Sequence, residues 1–114
     1  MKKILIVNHD PDTMELLKKS LEKKTLEVRC TDKPNDVLPT VKEFIPDVVI
    51  VDVLQYDIAK KIKEETPATP IIIMTGYTIT HDNQLLDIAD EIIKKHFDIK
   101  VLDQKIEKIL RKTG

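Results

Sequence analysis

The sequence predicts an α/β domain: a doubly wound, five-stranded parallel sheet with five flanking helices. Three observations predict it. Val48, Val49, Ile50 and Val51 are all β-branched, which favours a strand, and a run apolar at every position belongs in a sheet covered on both faces. Short apolar runs alternate with amphipathic segments along the chain, the pattern of repeated β-α units. The length of 114 residues, with 41% apolar and 34% charged, suits one soluble domain around one core.

The elements follow in order. The first strand is Ile4–Val7. Asp10-Pro11 then suits an N-cap and first helical position, and Met14, Leu17 and Leu21 recur at helical spacing. Leu26–Cys30 is the second strand. A second helix, opened by Asp32 or Pro34, carries Val37, Val41 and Phe44. Val48–Val51 is the third strand, with Pro46 before it and Asp52 after it. Ile58 and Ile62 mark a short third helix. Pro67 and Pro70 punctuate the turn into the fourth strand, Ile71–Met74. Leu85, Ile88 and Ala89 mark a fourth helix, Glu91–Ile93 a fifth strand, and Leu102, Ile106, Ile109 and Leu110 a fifth helix.

Five strands so connected take the flavodoxin-like order 2-1-3-4-5, which opens a crevice at the carboxyl ends of strands one and three. Its lining is then Asn8-His9-Asp10 and Asp52-Val53-Leu54, joined by Thr75 from strand four and Lys95 from strand five. A carboxylate carried to that edge by a buried strand reads as a nucleophile, a metal ligand or a phosphoryl acceptor. The competing reading of Asp52 is a polar residue that ends its strand and caps the next helix.

Composition narrows the function. A net charge of −1, from 19 basic and 20 acidic residues, offers no field for nucleic acid. The longest apolar runs, about five residues, fall far short of the ~20 that cross a bilayer. Met1-Lys2-Lys3 and the strand after it do not form a signal peptide, so a cytoplasmic location is expected. Cys30 alone makes neither a disulfide framework nor a cysteine metal site, and His9, His81 and His96 lack zinc-ligand spacing. A dehalogenase-type phosphatase needs a second aspartate two residues after Asp52, where Leu54 stands. Asn8-His9-Asp10-Pro11 is no backbone phosphate cradle. No catalytic residue is assigned and no enzyme activity is expected.

At these residues the chain resembles the receiver domain of two-component response regulators, over residues 1–114. Lys2 to Val7 with Asp10-Pro11-Asp12 is similar to that family's first strand and turn. Pro46-Asp47 through Asp52 is similar to its phosphoacceptor strand. Pro70 to Tyr77 resembles its fourth strand, with Thr75, and Ala89 to Phe97 its fifth, with Lys95. The resemblance implies a signalling module in a phosphorelay. Asp52 is then the phosphoacceptor, Thr75 and Lys95 contact the phosphoryl group, and Mg²⁺ neutralises charge during transfer. It implies a histidine kinase or phosphotransfer protein as donor, or a downstream effector as partner. It also implies a homodimer through the fourth helix, fifth strand and fifth helix, a face carrying Tyr77, His81, Leu85, Ile92 and Lys94.

The chain departs from that pattern in ways that matter. The family's acidic pair falls at Asn8 and His9, and neutral imidazole is a poor ligand for Mg²⁺. Asn8 is left to hold a metal-bound water through its amide oxygen. Asp10 is expected to cap the first helix, the alternative being a slipped register that puts it in the pocket. Asp52 is then the one strong ligand, and Mg²⁺ binding is weak. The connection after Asp52 is shorter than the family's by about five residues and has no glycine. Ile92 replaces the aromatic that couples to the switch threonine. His96 replaces the proline after Lys95, so a trans Lys95–His96 bond is expected. The sequence therefore predicts a receiver degenerate in Mg²⁺-dependent phosphorylation that works by protein–protein contact. The alternative is a phosphoacceptor of weak or unusual metal dependence.

Overall fold

A computed structural model of the chain describes residues 2–22, 26–76, 87–95 and 98–113. Five parallel strands form one sheet in the order β2-β1-β3-β4-β5. They are β1 (Lys2–Val7), β2 (Leu26–Thr31), β3 (Val48–Asp52), β4 (Ile71–Thr75) and β5 (Glu91–Lys94). Four α-helices are described: α1 (Pro11–Glu22), α2 (Pro34–Phe44), α3 (Tyr56–Glu65) and α4 (Ile99–Thr113). The described residues thus hold four helices, not the expected five. The helix expected around Leu85, Ile88 and Ala89 falls largely outside them, and only Asp87 and Ile88 are seen as helical.

The apolar runs split by period two, because successive side chains leave a strand on opposite faces. Ile4, Ile6, Val48, Ile50, Ile72, Met74 and Ile93 meet Leu17 and Leu21 of α1 and Leu102, Ile106 and Ile109 of α4. Leu5, Val7, Val49, Val51, Ile71 and Ile73 meet Val37, Val41 and Phe44 of α2, and Ala59 and Ile62 of α3. β3 and β4 are buried at every position, which is why they read as unbroken apolar runs. β2 is an edge strand. Glu27 and Arg29 are exposed and alternate with Leu26, Val28 and Cys30, which belong to the α1 side of the core.

Caps fix where the helices start. Asp10 accepts from the Asp12 N–H through Oδ1 (3.1 Å), and its carbonyl accepts from the Met14 N–H (3.1 Å). That makes Asp10 the N-cap of α1, as expected, with Pro11 in the first turn. α2 begins at Pro34, and its N-cap Lys33 makes no side-chain cap bond. Asp90 secures the entry to β4, its Oδ2 accepting from the Ile71 N–H at 2.8 Å.

Candidate functional site

The crevice is built by four strand ends. Register pairs Val7 with Val51 and Asp52 with Met74, so the next step along β1 sets Asn8 beside Asp52. Asn8, Asp52 and Thr75 are each only 1% exposed. The Lys95 N–H donates to the Thr75 carbonyl at 2.6 Å, which fixes the chain just beyond β5. The structure therefore brings Asn8, Asp52, Thr75 and Lys95 to one place, while His9 and Asp10 stand exposed beside it.

Asp52 is committed on both oxygens. Oδ1 accepts from the Leu54 N–H at 2.9 Å. Oδ2 lies 2.9 Å from Lys95 Nζ but has no aligned hydrogen bond. The contact is therefore a Coulombic pair, and the short distance defines it better than the hydrogen-bond angle. The Lys95 side chain is 33% exposed and that of Asp52 1%. A buried carboxylate so placed needs its counter-ion, since an uncompensated charge in a low dielectric is costly. Capping and ion pairing, the plain structural roles open to such a residue, are both present at Asp52.

The side chains expected beside this carboxylate are engaged with one another and with α1. Asn8 Oδ1, expected to hold a metal-bound water, accepts instead from the Asp10 N–H at 2.8 Å. The Asp10 carboxylate is engaged with α1, its Oδ2 accepting from Thr13 Oγ1 at 2.7 Å. That hydroxyl bond, helped by the Asp12 and Thr13 amides, holds the Asp10 carboxyl below its ordinary range. Among the described residues no three His, Cys, Asp or Glu side chains cluster as metal ligands. Mg²⁺, which binds through one or two carboxylates and keeps several waters, would meet one buried carboxylate here, already paired with Lys95.

Other expectations find their places. Val53–Gln55 form a 3₁₀ turn that runs straight into α3, so the shortened connection contains no open loop. Ile92, in the aromatic's place, pairs with Ile73 in register and packs on the α2–α3 side of the core. Cys30 is half-buried, and burial pushes its thiol up, consistent with an inert residue. His96, and with it the Lys95–His96 bond, lies outside the described residues, as do Tyr77, His81 and Leu85.

One feature escaped the sequence. A cleft of about 500 Å³ runs beside α1, lined by His9, Thr13, Leu16, Ser20, Lys95 and Ile99 among others. Its sequence signal was Leu16, an apolar residue on the polar side of α1, which is 66% exposed.

A flavodoxin-like sheet with a buried aspartate at its carboxyl edge, paired to a lysine beyond β5, already defines a class of protein. The family model for the response regulator receiver domain matches residues 4–107. The chain belongs to that family. Among relatives, it is 32% identical to the response regulator ArlR of Staphylococcus aureus, over 98% of this chain and 54% of that protein. It is 23% identical to the probable transcriptional regulatory protein TcrX of Mycobacterium tuberculosis, over 97% of this chain and 50% of that one. The chain spans about half the length of these curated relatives.

Solved structures agree on the fold. The receiver domain of the Francisella response regulator 1452 superposes with a TM-score of 0.91 at 18% identity, covering 100% of both chains. The response regulator TrrA of Thermotoga maritima, solved in complex with Mg²⁺-BeF, gives 0.85 at 29% identity, covering 96% of this chain and 100% of that one. Receiver domains are signalling modules that typically use Mg²⁺ for phosphorylation. In this chain no helix of the described residues is long and apolar enough to cross a membrane.

Proposed function

We propose that this chain is a receiver-type signalling module that acts chiefly through protein–protein contact, with Mg²⁺-dependent phosphorylation of Asp52 much weakened. The observation that carries the reading is the state of the acidic pocket. Its one buried carboxylate, Asp52, is neutralised by Lys95 at 2.9 Å, while Asn8 and Asp10 are held by each other and by α1. Phosphoryl transfer is largely positioning and charge neutralisation, and the neutralising groups here belong to the protein. The partners that fit are a histidine kinase or phosphotransfer protein on one side and an effector protein on the other. A second copy docking on the face of β5 and α4 is a further candidate, and Lys94 is exposed there.

One specific observation favours a second reading, a working phosphoacceptor. Asp52, Thr75 and Lys95 do meet at the carboxyl edge, as an acceptor and two phosphoryl-contacting groups must. The two readings separate by intact mass after incubation with acetyl phosphate and Mg²⁺, with Asp52→Asn as control. No adduct on folded wild-type protein is expected. A phosphoryl adduct present in the wild type and absent from the variant establishes the second reading instead.

A further inference from the structure

We propose that Asp52 is a two-way latch. Its carboxylate ties the 3₁₀ turn that leads into α3 to β3 through Oδ1 and Lys95, just beyond β5, to β3 through Oδ2, so that removing it frees the β3–α3 corner. No loop intervenes at this corner. β3 ends at Asp52, the 3₁₀ turn occupies Val53–Gln55, and α3 begins at Tyr56. The side-chain bond from Asp52 Oδ1 to the Leu54 N–H, 2.9 Å, caps the turn. The N-cap of α3 itself, Gln55, makes no side-chain cap bond, and its Oε1 is buried without a hydrogen-bond partner. The first turn of a helix has orphan N–H groups that need such partners. The Tyr56 N–H is met by the Val53 carbonyl, so α3 starts from the 3₁₀ turn, and the side-chain cap of that turn is a carboxylate that is also half of an ion pair.

The consequence is that the local stability of the turn follows the state of the Asp52 carboxylate. Leu54 stands on the turn with 67% of its surface in water, an orientation that its latched amide maintains. Tyr56, the next residue but one, lines a cleft of about 370 Å³ with Lys60, Lys63, Glu64, Asp87 and Ile88. Release of the turn therefore reshapes a surface away from the crevice. This route needs no aromatic at Ile92, and it follows from the shortened connection, which leaves no slack between acceptor and helix. It is read from the unphosphorylated protein, so its failure and that of the proposed function are read separately.

The test is NMR-detected amide exchange in the wild type, Asp52→Asn and Asp52→Ala, with the Ile4–Val7 amides as internal reference. Asparagine keeps a capping oxygen and loses the charge; alanine loses both. Relative to the reference, the Leu54–Ala59 amides are expected to exchange about tenfold faster in Asp52→Ala, and within about threefold of wild type in Asp52→Asn. Should the alanine variant not fold, Asp52→Leu fills the volume without an acceptor and is read the same way. Unchanged relative exchange in the acceptor-less variant overturns the latch. Equal loosening in the asparagine variant overturns it too, because the charge and not the cap then holds the corner.

Discussion

The β1–α1 and β3–α3 corners lie side by side at one edge of the sheet, and each opens with an aspartate that caps the turn after it. Asp10 caps α1 in water, exposed and helped by Thr13. Asp52 caps the 3₁₀ turn in the interior, 1% exposed and paired with Lys95. The chemistry of the two caps is the same and their surroundings are opposite. At the first corner water solvates the charge and the carboxylate is only a cap. At the second a protein cation must do what water does at the first, so the same carboxylate becomes coupled to Lys95, a residue remote in sequence. Burial, not residue type, separates the structural aspartate from the candidate functional one.

The comparison breaks most visibly at Lys95. Replacing it by methionine removes the counter-ion and leaves Asp52 buried and charged, a change expected to lower stability by about 3 kcal/mol, measurable by urea unfolding. A loss under about 0.5 kcal/mol, the level of exposed ion pairs, means that water reaches Asp52 and the two corners are not so different. A smaller effect is expected from restoring acids at the first corner. Asn8→Asp with His9→Asp crowds like charge beside Asp52 and should cost about 2 kcal/mol without metal. Millimolar Mg²⁺ should recover that loss, raising the melting temperature of the double variant and not of the wild type. An equal Mg²⁺-dependent rise in the wild type would falsify the weak Mg²⁺ binding expected of this pocket.

The smallest effect belongs to Asp10→Ala. Its folded carboxyl sits below the ordinary value of 3.8, so the cap is fully effective above that value. Its contribution is lost as the pH falls through the folded value. The melting temperature of the variant should lie slightly below that of wild type at neutral pH, and the gap should close as the pH drops below 3.8. A gap that stays constant into acid removes the carboxylate from the cap.

Much of the fold was legible in the sequence, because burial of apolar side chains dictates most of it. Strands buried on both faces must be apolar throughout, so β3 and β4 announce themselves. The strands run further than their apolar residues, to Thr31, Asp52, Thr75 and Lys94, since ladder hydrogen bonds do not stop where hydrophobicity does. The edge strand β2 was less legible as a run, because only one of its faces is covered. The site was legible as residues and not as connections. Asn8, Asp52, Thr75 and Lys95 are named by topology alone, since strand order brings carboxyl ends together. That Asn8 closes on the Asp10 amide instead of a metal-bound water could not be read there, because that hydrogen bond depends on how the chain turns after β1.

By itself, then, the sequence determined the sheet, its order, the N-cap at Asp10 with Pro11 in the first turn, and the carboxylate at the end of β3. These follow from local propensity and from the periodicity of burial. Tertiary structure alone decided that Asp52 faces Lys95 and also holds Leu54, and that a cleft runs beside Leu16 on α1. Each of these depends on ångström distances between side chains carried by different elements, and hydrophobic pattern fixes which face is buried without fixing where a charged tip comes to rest.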